Sequence, residues 1–278
     1  MPLTSVVRRP GLWLRFDPTA FPDADATLRD AAGEWGCHPD WVDVHASRGA
    51  RVWRSRPGAA PAFFWKEFRA RTAWDPLKSL LRGSRAARAL RGGEALAALG
   101  LEAPRVLALA EERGFWGPSR SLLVTEAVEL PALDRWAATG DLGARERRVI
   151  VANVGGAIAR LHGGGLVHGD LRPSNVLCTR DARRIVFLDN ERTRRSESHR
   201  ERIRNLVQLG VDQTDRPFRT DRVRFVHAYA RALGRSDEWA RALVRELDAA
   251  IVARRARRRA RGLDPLTGLR PTNPSPAS

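Results

Sequence analysis

GGGLVHGDLRPSNVL, residues 163–177, puts a histidine, an aspartate and an asparagine on one short connection directly after three glycines. The stretch is poor in helix formers and carries a proline, so it reads as a loop. Loops held on a rigid scaffold are where catalytic groups tend to sit. Just before it, ARERRVIVANVGGAIARLH places Val151, Val154, Ile158 and Leu161 on one apolar helical stripe, which the glycines terminate. Just after it, VLCT (176–179) and RIVFLD (184–189) are apolar, β-prone runs separated by RDAR, a hairpin pattern.

Counting outward from that turn puts Asn175 opposite Asp189, so the hairpin is expected to return two oxygen-bearing side chains beside the loop that carries Asp170. Such ligands suit Mg²⁺, which keeps waters and adds substrate phosphates. Asp170, five residues before Asn175, is placed to accept or orient a hydroxyl proton. One acid for the nucleophile and an Asn/Asp metal pair is the set that phosphoryl transfer requires.

Such chemistry also needs a cation for nucleotide phosphates, itself held by a carboxylate. The chain has only two lysines, Lys66 and Lys78. Lys66 sits inside the strand-like run AFFWKEF, and the helix candidate at 84–99 offers Glu94 downstream. The bland alternative for Lys66 is a solvent-facing residue on a half-buried strand.

Net charge is +17 over 278 residues, which favours an anionic partner. Part of the charge is clustered in ARRARRRARG (253–262), with no aromatic interleaving of the kind a single-strand binder uses, so no nucleic acid is expected. A solvated basic helix in an arginine-rich protein explains the same cluster. No run approaches the ~20 apolar residues of a membrane span, and the N-terminus makes a poor signal peptide. Cys37 and Cys178 are far apart, without a nearby histidine ligand, so neither zinc nor a disulfide is expected and the cytoplasm is the natural compartment.

HGDLRPSN resembles the kinase catalytic loop, and LDNE stands where a kinase has its metal-binding DFG. The order FFWKEFR, LKSLLRGSRAARAL, EALAALGLEAPRVLAL and HGDLRPSNVL is similar to that of the lipopolysaccharide kinase family, the Kdo and heptose kinases. The resemblance covers roughly residues 50–250. It implies an α+β, two-lobed protein-kinase-like fold, with an N-terminal antiparallel β-sheet lobe carrying one main helix and a mainly helical C-terminal lobe. The expected boundaries are 1–126 for the nucleotide-clamping lobe, 127–265 for the catalytic lobe and 266–278 for a disordered tail.

The resemblance further implies ATP and Mg²⁺ as cofactors, with Asp170 the catalytic base, Asn175 and Asp189 the metal ligands, and Lys66 the phosphate clamp paired to Glu94. Glu126 to Val128 would meet adenine through the backbone, Gly49 would remain from a reduced phosphate loop, and His168 would brace the catalytic loop without a chemical step. The implied acceptor is an anionic sugar or glycolipid, with an anionic membrane surface at the inner face of the inner membrane as a second partner, met by the arginine-rich end. Several positions depart from the family pattern. Gly169 replaces the loop arginine, Glu191 stands where DFG has its glycine, and Asn205 stands where an acidic residue is usual. An aminoglycoside phosphotransferase, an atypical protein kinase and a catalytically dead module are the competing readings. A polycationic antibiotic fits this basic chain poorly, and every catalytic position is filled.

Overall fold

The computed structural model describes Leu3 and residues 5–9, 12–19, 41–47, 49–56, 62–70, 72, 74–139, 142–211 and 218–264. The run DADATLRDAAGEW (23–35), whose sequence reads as a helix, and the tail from 266 lie outside them. The chain divides into two compact units. The first is Met1–Ala95 with Ala103–Glu129 and Asn190–Arg192; the second is Leu96–Glu102, Leu130–Asp189 and Thr193–Ser278.

Unit 1 is built on a seven-stranded antiparallel sheet, in which every neighbouring pair runs antiparallel. Its strands are β1 (Ser5–Arg9), β2 (Leu12–Phe16), β3 (Trp41–Ser47), β4 (Ala50–Ser55), β5 (Phe63–Arg69), β6 (Val106–Gly114) and β7 (Gly117–Glu126), in the order β1-β2-β6-β7-β5-β4-β3. Alternation along β5 explains how the sheet is buried. Phe63 and Trp65 join Trp53, Leu107, Leu122 and Val124 in one cluster. Phe68, one step out of phase, joins Leu109, Leu123 and the helix residues Ala86 and Ala89 in another. Each large side chain buried this way contributes about 1.5–3 kcal/mol.

Two helices follow β5. They are α1 (Asp75–Arg82), which sequence reasoning read only as a basic stretch, and α2 (Arg85–Ala97), the one main helix expected. Gly92 on α2 meets Asn190 so closely that a Cβ there would overlap the Asn190 carbonyl. A buried carboxylate, Glu67, is answered by Arg69 at 2.7 Å and by Arg120.

Unit 2 is mainly helical. It contains α3 (Leu133–Thr139), α4 (Ala144–Gly163), α5 (His199–Val211), α6 (Phe218–Ala232) and α7 (Asp237–Ala260). Val154, Ile158 and Leu161 of the expected stripe are buried, while Val151 is half-buried at its edge. At Gly155 the α4 and α6 backbones approach closely, since a Cβ would sit 2.9 Å from Phe225 O. Ser236 caps α7 by accepting from Trp239 N at 3.2 Å. Leu243, Leu247 and Ile251 then bury its inner face. Arg254, Arg257 and Arg258 line a groove with Arg200 and Arg204 of α5, because Ile203 and Val207 draw the apolar side of α7 onto α5.

Four short strands complete the unit: β8 (Leu166–Val167), β9 (Val176–Cys178), β10 (Ile185–Phe187) and β11 (Arg194–Arg195). Strand β8 pairs with β11, and β9 with β10.

Candidate active site

The loop from His168 to Asn175 leaves β8 and enters β9 through one 3-10 turn, Pro173–Asn175. Its shape is set by polar groups beneath it. His168 is fully buried, and its Nε2–H donates to Leu188 O at 2.8 Å. The His168 amide donates to Asn205 Oδ1 at 2.9 Å, and Gln208 Nε2 donates to Gly169 O at 3.3 Å. Asn205, where the family tends to be acidic, therefore anchors the loop as a neutral amide. Gly169 has φ of 75°, a conformation that an arginine in its place would adopt only under strain.

Below this anchor lies His162, fully buried, with Nδ1 2.9 Å from Tyr229 Oη and Nε2 3.4 Å from Asn205 Oδ1. Asn205 Oδ1 already accepts from the His168 amide, so His162 carries its proton on Nε2 and accepts from Tyr229. Burial, aided by nearby Arg202 and opposed by the Asn205 contact, pushes His162 down to about 4. The same burial pushes Tyr229 up to about 12 and Cys178 up to about 11, so Cys178 is an inert thiol.

Asn175 Nδ2 donates to Asp170 O at 2.9 Å, which fixes the amide and leaves Oδ1 as the acceptor that can serve a cation. Asp170 is half-buried, and its Oδ1 accepts from Arg172 Nε at 3.1 Å. The hairpin register corrects the sequence count. Val176 pairs with Phe187, and Leu188 N donates to Asn175 O at 2.9 Å, so Asn175 faces Leu188 and Asp189 lies one residue further on. The β9–β10 turn closes Thr179 against Arg184, and pairs counted from there reach 188. Asp189 follows at φ 56°, exposed. An aspartate held in the left-handed region is uncommon and marks a site where geometry outranks backbone comfort.

In unit 1, Lys66 lies on β5 between Val52 and Leu123, half-buried, with Nζ 5.3 Å from the Phe68 ring centroid. It shares a face with Phe68, the face that α2 covers. Glu94 is exposed on α2, and its carboxylate makes no ion pair among the described residues. Gly49 sits buried at the β3–β4 turn, its carbonyl accepting from Arg85 Nη1 at 2.8 Å. The Glu126 and Ala127 amides are taken by Arg105 O and Ala62 O, so Val128 carries the backbone N–H of that trio with no partner among the described residues.

Sequence reasoning noted Glu191 only as a departure from the DFG glycine and missed its partner. Its carboxylate takes Arg85 in a bidentate pair, Nη2 at 2.8 Å and Nε at 3.1 Å. It also missed Arg172, although that residue stands within the quoted loop, and it missed the His162–Tyr229 support, whose partners are 67 residues apart.

A twisted antiparallel sheet with its lysine strand and covering helix, and a helical unit carrying an HGD loop and an Asn/Asp hairpin, make up a protein-kinase-like fold. The profile of the lipopolysaccharide kinase (Kdo/WaaP) family matches residues 42–229, more than half of the chain. The chain belongs to that family, a family of kinases. Among solved structures, WaaP in complex with acyl carrier protein matches with a TM-score of 0.62 at 20% identity. The match covers 89% of this chain and 98% of that one, a likeness of fold. A 65-residue segment is 40% identical to the serine/threonine-protein kinase AfsK of Streptomyces coelicolor; it is 23% of this chain and spans 8% of AfsK.

Proposed function

We propose that this chain is an ATP-dependent kinase that phosphorylates a sugar hydroxyl of a lipopolysaccharide core or a related glycolipid. The observation that carries the reading is the Asn175 amide, locked by the Asp170 carbonyl so that Oδ1 is left for a cation, on the same loop as the Asp170 carboxylate. Asp170, held on one oxygen by Arg172, orients the sugar hydroxyl and takes its proton as transfer proceeds. Lys66 holds nucleotide phosphate, and the Val128 amide with its neighbouring carbonyls holds adenine.

Asn175 and Asp189 fit Mg²⁺ because both offer oxygen. Water and substrate phosphate would complete the coordination shell, as is usual for this ion. The ion, when bound, neutralises charge on the phosphate oxygens. The +17 net charge suits an anionic acceptor.

The decisive experiment incubates the protein with ATP and a panel of lipid A–core acceptors and reads products by mass. One added phosphate, absent with Asp170→Asn, supports the reading. No transfer to any sugar alongside transfer to a protein substrate overturns it.

The solved WaaP structure holds acyl carrier protein, and one observation favours a comparable partner for this chain. Unit 2 contains an apolar cavity lined by Leu133, Trp136, Ile150, Val154, Leu247 and Ile251, with Arg147 and Arg222 also in its lining. That apolar lining would take an acyl chain, while Arg147 and Arg222 already pair with Asp221 and Asp248. Co-purification followed by intact-mass analysis tests this; a carrier that binds equally well without its acyl chain speaks against it.

A further inference from the structure

Helix α1 buries none of its residues. Instead it exposes Leu80 and Leu81, at 61% and 83%, with Trp74 just before it at 68%. The β6–β7 hairpin tip, Phe115 and Trp116, is exposed at 92% and 67%, its two rings packed edge to face at 5.2 Å. The two features adjoin. Gly117 meets α1 so closely that a Cβ there would lie 2.8 Å from Pro76 O and 3.3 Å from Leu80 Cβ. Leu80 and the aromatic tip thus lie side by side, with Leu81 and Trp74 exposed on the same short helix segment, where a soluble surface normally scatters such side chains singly.

Behind this face lies a polar cavity of about 250 Å³, room for several waters. Its lining is strongly cationic, Lys78, Arg82, Arg85 and Arg88 among the basic residues, with Asp75 and Glu191 the carboxylates among the described residues. Arg85 is already paired to Glu191. Arg88 Nε is buried with no hydrogen-bond partner. Burial lowers the Arg88 pKa, Glu191 opposes that, and Arg85, Arg82 and Arg91 add to it, so the cavity carries more positive charge than its acids offset.

We propose that this face docks on an anionic phospholipid membrane, with Leu80, Leu81, Phe115 and Trp116 entering the interface and a lipid phosphate occupying the arginine cavity. An amphipathic helix with cations at the rim of its apolar side, beside an aromatic tip, is the chemistry of an interfacial anchor. Charge complementarity selects this occupant over a second copy of the chain. A two-fold contact would set Lys78 and Arg82 against their own equivalents. The inference concerns unit 1 alone and does not depend on the phosphoryl-transfer reading.

The test is co-sedimentation of the full chain with phosphatidylcholine vesicles, with and without phosphatidylglycerol. The expected result is binding only to the anionic vesicles, weakened by high salt, which shortens the Debye length from about 10 to about 3 Å between 0.1 and 1 M. Leu81→Ser with Phe115→Ser and Trp116→Ser should lower partitioning at least ~10-fold. Lys78→Glu with Arg82→Glu should do the same. Both variants should keep the parent melting temperature, because their side chains are exposed. Arg257→Ala with Arg258→Ala is the control for the arginine-rich end of α7. Binding that survives the α1 and hairpin changes overturns the proposal, whatever the α7 changes do. So does a dimer, seen by sedimentation without lipid, that the serine variant dissolves.

Discussion

Arg85 and Glu191, 106 residues apart, form a bidentate ion pair at the first turn of α2, with side chains only 23% and 12% exposed. The same guanidinium lies over the Phe68 ring at 4.5 Å and donates to Gly49 O. One side chain therefore ties α2, β5, the β3–β4 turn and the segment after Asp189 within unit 1. Removing one partner leaves the other charge largely buried, which costs about 3–5 kcal/mol for a buried pair and less here because both retain some solvent. Glu191→Ala and Arg85→Ala should each lower the melting temperature by several degrees. The double variant should lose much less than their sum, and an additive double-mutant cycle would show that the pair contributes nothing.

Asp170→Asn and Asp189→Asn should each abolish phosphoryl transfer with the fold intact. A positioned base is worth roughly 10²–10⁴ in rate. Asparagine tolerates the left-handed backbone at position 189, and glycine there should melt at or above the parent temperature while remaining inactive, because it relieves strain. Turnover near the parent level in a well-folded Asp170→Asn variant would remove the assignment.

Lys66→Ala should raise KM for ATP and lower kcat, while Lys78→Ala leaves both unchanged. Lys66 sits on a central strand under α2, whereas Lys78 is an exposed residue of α1 whose ion-pair contact is Asp75 at 3.7 Å. Equal kinetic losses in the two variants would show that the clamp lies elsewhere.

His162 makes stability depend on pH. Its folded value is about 4 against 6.5 for the free side chain. Between those values the unfolded chain takes up a proton that the folded chain refuses, so this contribution is complete above pH 6.5 and shrinks as pH falls toward 4. At about 1.4 kcal/mol per pH unit the loss approaches ~3 kcal/mol. Urea unfolding from pH 7.5 to 4.5 should show the decline, and His162→Gln should flatten it even if its plateau is lower. Parallel slopes for the two proteins would exclude His162 as the cause.

The helical half was legible because its signals are local. Apolar spacing marked α4, glycines marked its end, and α7 spans the run DEWARALVRELDAAIVARRARRRA, whose apolar residues recur at helical intervals. The loop residues were legible as types for the same reason. Pairings across long separations were not. Glu191 looked like a misplaced DFG glycine until its partner Arg85 was in view, and the hairpin was miscounted by one residue. Helix α1 escaped notice because its leucines face outward, so its pattern reports no core. The sequence drew attention to the arginines at 253–262 for membrane contact. The apolar side chains that an interface requires lie on α1 and the β6–β7 tip, beyond the reach of charge counting.

The missing side chain at Gly92 has a practical use. Because α2 meets the Asn190 carbonyl there with no space for even a methyl group, the position works as a dial. Alanine should yield a thermosensitive allele, sound in the cold and failing on warming, since overpacking costs about 1–3 kcal/mol. Serine, bulkier still, should fail at a lower temperature. Such a graded pair would let the protein be withdrawn from living cells by a temperature step alone, with every residue assigned to chemistry left untouched.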